Sequence, residues 1–259
     1  MTTQEFSNEF DVLYNNIMSN QAPGIDDYEK SVFLTKAQLE ILKNYFNPKG
    51  NKYQEGFDNS RKRQIDFSNH VIVASPSVYI GSSFTRFNDA STMYSLPSNI
   101  LFILDERIND SLDGITDSSI VVPIGLNEFM RIMSKPYRRP LRHQVWRLIQ
   151  GDNRTSFTSD IINDPGFTPQ YIAELIGRGT LSDYRVRYVK RPSPIIIADL
   201  SSEYGTGISI DGVTAESQCL LDKNLHREIL QRAVELAKSS YEGDLNSLNS
   251  TLQLGQRSE

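Results

Sequence analysis

The chain has 259 residues, 38% hydrophobic and 23% charged, with a formal net charge of −5. That length can bury a core for one large domain or two small ones, and the acidic balance argues against a general nucleic-acid coat. No apolar run approaches the roughly 18–20 residues of a membrane span. An N-terminus with Glu5, Glu9 and Asp11 lacks the regions of a signal peptide. One cysteine, Cys219, cannot form an intramolecular disulfide and reads as a small buried hydrophobe. Three histidines without CxxC or HxxxH spacing give no metal site.

Over 3–20, Phe6, Phe10, Leu13, Tyr14 and Ile17 recur at helical spacing, and the 21–24 segment QAPG stops that helix. Asp26 or Asp27 caps a second helix, with Val32, Leu34, Leu39, Ile41 and Leu42 on its apolar face, up to Phe46. The pair reads as a helical hairpin, either docked on the protein's own core or serving as an arm toward a neighbour. Residues 51–66 are polar, and Arg61, Lys62 and Arg63 read as a solvated face.

From 69 the pattern turns to β. Residues 71–73, 100–104 and 120–123 are strand-like. Between them lie a polar stretch at 81–98, whose Phe84, Phe87, Met93 and Tyr94 are candidate aromatic anchors for a partner, and an acidic, Gly-containing connection at 105–119. A short helix at 124–133 opens at Gly125 or Asn127. Residues 135–147 then gather Lys135, Arg138, Arg139, Arg142 and Arg147 with Tyr137, His143 and Trp146. Overlapping them, 141–149 reads as a strand with no purely apolar face, which predicts an exposed or interface strand.

After a loop at 150–168, residues 169–176 read as a helix with Thr168 as N-cap, Pro169 at its first position and Gly177 as the stop. Residues 182–190 alternate as a strand with Tyr184, Val186 and Tyr188 on one face, and 194–200 is expected to return beside it. The glycines at 205, 207 and 212 signal a tight hairpin. A long helix follows Asp222, its N-cap, and stops at Gly243. Leu225, Ile229, Ala233, Leu236 and Ser240 share one face, which Leu230, Val234, Ala237 and Tyr241 widen. The tail 244–259 is polar and dotted with leucines. It is expected to order only against a neighbour.

These features predict an α+β fold: an N-terminal helical hairpin, a central mostly antiparallel sheet and a long C-terminal helix packed on the sheet. The expected divisions are 1–50 (hairpin arm), 51–243 (core) and 244–259 (tail). No phosphate loop and no nucleophile elbow occurs. The 203–207 segment EYGTG reads as a plain turn, and His226 and Glu228 point to different helix faces. Catalytic, cofactor-binding and metal-ligating residues are therefore expected to be none.

The feature order in 185–243 (RVRYVKRPSPIIIADL, a polar loop, then CLLDKNLHREILQRAVELAKSSYEG) resembles virion structural proteins of crAss-like bacteriophages. The stretches 1–14 (MTTQEFSNEFDVLY) and 26–42 (DDYEKSVFLTKAQLEIL) resemble the same proteins. The resemblance implies a non-enzymatic head–tail connector, a ring or adaptor of the neck or tail. Its partners would be copies of itself, twelve-fold by analogy with portal-associated rings, then the portal, other neck and tail rings, and transiently phage DNA, with no membrane. It would reside in the virion after assembly in the host bacterial cytoplasm. For the 135–147 stretch three readings compete: solvated surface, pairing with an acidic neighbouring subunit, and phosphate contact with interleaved aromatic stacking. The last would make the chain a nucleic-acid-contacting or internal cargo protein of the virion.

Overall fold

A computed structural model describes residues 1–17, 24–46, 61–80, 86–112, 114–135, 139–150, 171–203 and 207–242. The chain divides into two compact units, one formed by Met1–His70 with Pro192–Glu259, the other by Val71–Arg191. The α+β class holds: N-terminal helices, a central mostly antiparallel sheet and a long C-terminal helix.

The first unit is helical. Its helices are α1 (Thr3–Ile17), α2 (Asp27–Phe46), the single turns α3 (Arg61–Asp66) and α5 (Leu200–Glu203), and α6 (Lys223–Glu242). Asp26 caps α2, accepting from the Glu29 N–H at 2.8 Å, and Asp222 caps α6, accepting from the Asn224 N–H at 2.9 Å. Phe6, Phe10 and Tyr14 of α1 are buried, as are Leu225, Ile229, Ala233 and Leu236 of α6, whereas Ser240 is exposed. α6 packs on α1 and α2. Arg232 of α6 grips Glu40 of α2 with two bonds, 2.8 and 3.0 Å.

Residues 194–200 do not return beside the 180–190 strand. Pro192 and Pro194 have no N–H to give a ladder, and the segment pairs with α2 instead. The Ile195 N–H donates to Thr35 Oγ1 at 3.1 Å, the Ile197 N–H to Ser31 Oγ at 3.0 Å, and Ile196 bridges Ser217. The glycine-rich hairpin signal resolves at Ile210 and Val213, which exchange both backbone bonds around Asp211 (φ 51°) and Gly212 (φ 79°). Two consecutive positive φ values are what an Asp-Gly turn accommodates.

The second unit is a seven-stranded sheet of β1 (Val71–Ala74), β2 (Thr92–Leu96), β3 (Ile100–Leu112), β4 (Ile115–Pro123), β5 (Gln144–Gln150), β6 (Tyr171–Ile176) and β7 (Thr180–Lys190). Their order is β1-β7-β3-β4-β5-β6-β2, antiparallel except where β4 meets β5. That parallel pair is joined by α4 (Leu126–Met133).

Sheet order and loop length together force curvature. β6 and β7 stand four positions apart, ~19 Å in a flat sheet, yet only residues 177–179 join them, which reach ~14 Å. The sheet must curl, and it does. Tyr94 of β2 meets Tyr184 of β7 at 5.0 Å between ring centroids, and the Tyr94 hydroxyl donates to the Leu181 carbonyl at 3.3 Å. Ile108, Val121, Val145, Leu175 and Val186 fill the concave side. The joint needs glycine at 179, where a Cβ would lie 2.0 Å from the Ser111 carbonyl oxygen. The Gly179 N–H donates to Asp110 at 2.9 Å.

Several expectations give way here. The acidic connection at 105–119 is the β3–β4 hairpin, since Glu106 and Asp110 point inward between apolar neighbours and find partners there. The described part of the helix expected at 169–176, residues 171–176, is instead β6, which lies between β5 and β2 and is buried on both faces apart from Tyr171. Its run of apolar residues fits either period, and the sheet partners decide. The polar 81–98 stretch contains β2, whose Met93 and Tyr94 belong to this subunit's interior. The strand expected to be exposed, β5, is interior, because its polar side chains pair across the sheet. The helix stop at Gly243, the tail 244–259 and, apart from Gln150, which ends β5, the loop expected at 150–168 lie outside the described residues.

Candidate subunit interface

α4 follows Pro123 and opens at Gly125, an extended N-cap. Phe129 and Ile132 pack on Trp146, Leu148 and Ile176 of the convex side of the sheet. The apolar surface extends beyond these contacts along one flank of the helix. Leu126, Met130 and Met133, spaced i, i+4, i+7, are 42%, 52% and 48% exposed. An apolar stripe wider than its buried contact marks an interaction surface.

Beside Met133 lies a hollow of about 540 Å³ with Trp146 and Ile176 in its lining and Arg139 and Arg178 at its edge. Neither guanidinium has an acidic partner among the described residues, although the Arg178 N–H donates to Asp110 at 3.3 Å, and Lys135, just past the C-terminal end of α4, is exposed. Arg131 stands 3.9 Å from Glu128. The surface is therefore an apolar helix face bordered by cations.

The five basic residues singled out in the sequence separate. Lys135 and Arg139 join the α4 surface. Arg142 is exposed and pairs with Asp117 at 3.3 Å, with His143 at 3.8 Å from the same carboxylate. Arg147 turns inward and is 8% exposed. It donates to Glu106, which also accepts from the Tyr184 hydroxyl. Burial, reinforced by the Glu106 carboxylate, drives the Tyr184 phenol well above the usual range. Arg147 is thus an interior residue of β5 and leaves the exposed set. Arg138 lies outside the described residues.

Of the aromatic anchors, Tyr94 is core, and Phe84 lies outside the described residues. Phe87 is partly exposed and borders a second hollow of about 520 Å³ with Pro123, Leu148 and Gln150. Its backbone is fixed by Glu174, a fully buried carboxylate on β6. Glu174 accepts from the N–H groups of Phe87 and Asn88 at 2.9 and 3.0 Å, from Ser91 Oγ at 2.5 Å and from Gln150 Nε2 at 2.7 Å. Sequence reading missed this clamp, because one acid in an apolar strand does not announce its donors. It also missed the open face of α4, which the 126/130/133 spacing beside Phe129 and Ile132 does carry.

In the helical unit, Cys219 is buried, and burial pushes its thiol up to about 11, which leaves it unreactive at neutral pH. His226 is buried under the Phe6 ring. Among the described residues no group of His, Cys, Asp and Glu is arranged to hold a metal.

An open apolar helix face bordered by arginines that have no acidic side-chain partner among the described residues, on a curled sheet with its own core, fits a structural subunit of a larger assembly. Residues 1–249 match the family described as "Phage tail ring protein 3/4". The chain is 46% identical, over the whole length of both proteins, to "Ring protein 4/5" of Bacteroides phage crAss001. It is 32% identical to "Ring protein 3" of the same phage over 92% of this chain and 95% of that protein. The chain belongs to the phage tail ring protein 3/4 family of crAss-like phages, and is a non-enzymatic viral structural protein.

Proposed function

We propose that this protein forms a homo-oligomeric ring in the neck of the virion, assembled in the host cytoplasm, that joins the portal to the tail and frames the DNA conduit. Similarity to two ring proteins of one phage, over the whole chain for one and over 92% of it for the other, carries the reading. Neighbouring rings built on one fold can stack, and portal-associated symmetry would make each twelve-fold. The exposed members of the 135–147 stretch, with Arg138, face acidic protein in that ring. Arginine suits carboxylate pairing in a repeated interface, and a conduit that gripped DNA would impede its passage.

The test is the triple substitution Arg138→Ser, Arg139→Ser, Arg142→Ser in phage. The expected result is a folded subunit that fails to enter particles. Normal particles with altered genome retention or ejection would instead assign the stretch to DNA, and fully normal particles would leave it as plain surface. Side-chain-resolution imaging of the particle places the ring directly; finding it away from the portal–tail axis overturns the proposal.

A further inference from the structure

The α4 surface carries an implication about its occupant, which rests on the ring reading above. The two compact units differ in charge. Val71–Arg191 has 14 Lys/Arg against 12 Asp/Glu, net +2, and the rest of the chain has 13 against 20, net −7. α1 is the sharpest case: it holds Glu5, Glu9 and Asp11 and no Lys or Arg. Its inward stripe is Phe6, Phe10 and Tyr14. Its outward stripe is Glu5, Glu9, Val12 and Leu13, with Val12 at 59% and Leu13 at 36% exposure. Glu9 has no cationic partner among the described residues.

We propose that the outward face of α1 from one subunit docks on the α4 surface of the next, making the head-to-tail contact of the ring. The two surfaces match in kind. On α1, acids at i and i+4 precede apolar residues at i+7 and i+8. On the other side, Leu126, Met130 and Met133 form one exposed stripe of α4, and at its C-terminal end Met133 shares a hollow with Arg139 and Arg178, with Lys135 two residues on. Val12 and Leu13 cover the methionines and the hollow beside them, and Glu5 and Glu9 meet the arginines. A second α4 surface cannot serve as the occupant, because it would set Arg139 against its own copy. Contact between two different surfaces is also what a ring requires, since a heterologous interface repeats around an axis until it closes.

The test uses particles carrying Leu13→Cys and Met133→Cys, treated with a short bismaleimide; Cys219, the one native cysteine, is buried. The expected result is a ladder of covalent multimers that needs both cysteines. A cross-linked monomer without a ladder places the contact within one subunit and overturns the proposal. So does an adduct with a different virion protein, which leaves the ring reading standing, or no product from infectious particles. Should the double-cysteine particles fail to form, charge exchange decides. Glu9→Arg and Arg139→Glu are each expected to lose infectivity, and together to recover it. Absence of recovery overturns the proposal.

Discussion

Two arginines five residues apart in the same basic stretch should respond oppositely to substitution. Arg147 and Glu106 are 9% and 5% exposed at their side chains, whereas Arg142 and Asp117 are 60% and 32% exposed. Removing one member of a buried pair strands a charge and costs ~3–5 kcal/mol. A solvent-screened pair contributes ~0–1 kcal/mol. Arg147→Ser leaves the Glu106 carboxylate with the Tyr184 hydroxyl alone, so its loss belongs to the first class, and Arg142→Ser to the second. At roughly 2–4 °C per kcal/mol for a domain of this size, Arg147→Ser should melt ~6–20 °C lower and Arg142→Ser within ~4 °C of the parent. With two compact units a single melting temperature is poorly defined. The sole tryptophan, Trp146, lies buried beside Arg147 and reports its own unit, so fluorescence-detected unfolding is the assay. Replacing Glu106 and Arg147 together by Met should recover most of the loss, because the penalty comes from the stranded charge. Equal midpoints for the two serine variants would refute the reasoning.

Further expectations concern other parts of the fold. Ile229→Ala empties a fully buried position of α6 and should remove ~2–5 kcal/mol, seen as earlier loss of helical circular dichroism. Glu174→Gln turns an amide toward backbone donors and should cost ~1–3 kcal/mol. Hydrogen exchange at the Phe87 and Asn88 amides should then speed up, about tenfold per 1.4 kcal/mol. His226 is held neutral. Its Nε2–H donates to the Leu221 carbonyl at 3.0 Å, and its Nδ1 accepts from the Met1 amino group at 2.8 Å. Burial first, and then that amino group, set its pKa below 6.5. Its stabilising effect is therefore complete above ~6.5 and lost as pH falls through the lowered folded value. Thermal scans between about pH 7.5 and 5 should show the parent losing more than His226→Gln.

Legibility in the sequence followed local periodicity. α1 and α6 are readable because each has an apolar stripe, and β7 because Tyr184, Val186 and Tyr188 alternate cleanly; α2 is readable as a helix from its capping aspartate, but its buried face mixes Leu34, Ile41 and Leu42 with Lys30, Ser31, Thr35 and Gln38, and the expected Val32 and Leu39 are only half-buried. The same method failed wherever a polar residue points inward with a distant partner. Arg147 made β5 look exposed, yet its partner Glu106 is 41 residues away. Glu106 and Asp110 made a β-hairpin look like an acidic loop. β6 reads as a helix because its five consecutive buried residues, 172–176, have no period to distinguish strand from helix. Pairing across the sheet supplies the missing information, and it is non-local. At the interface, the basic stretch was legible as composition, but its division into Lys135, Arg139 and Arg142 outside and Arg147 inside depends on strand phase and was not.

That division separates two contributions to assembly that can be measured apart. In the interface proposed above, the exposed arginines act at long range on an acidic partner, so their effect should decline with salt, since the Debye length falls from ~8 Å at 0.15 M to ~3 Å at 1 M. Charges at the rim of an interface chiefly set the rate of association. Met130 and Met133 act only after contact, through area removed from water, and chiefly set the rate of dissociation. Arg139→Ser should therefore slow subunit association and flatten its salt dependence with little change in dissociation. Met130→Ser should leave the salt dependence intact and speed dissociation at every ionic strength. Light scattering during subunit assembly and after dilution reads the two rates. If Arg139→Ser retains the parent's salt slope, the cations beside α4 do not face the acidic partner. If Met130→Ser dissociates at the parent's rate, the open face of α4 stays in water, and the contact between subunits lies elsewhere.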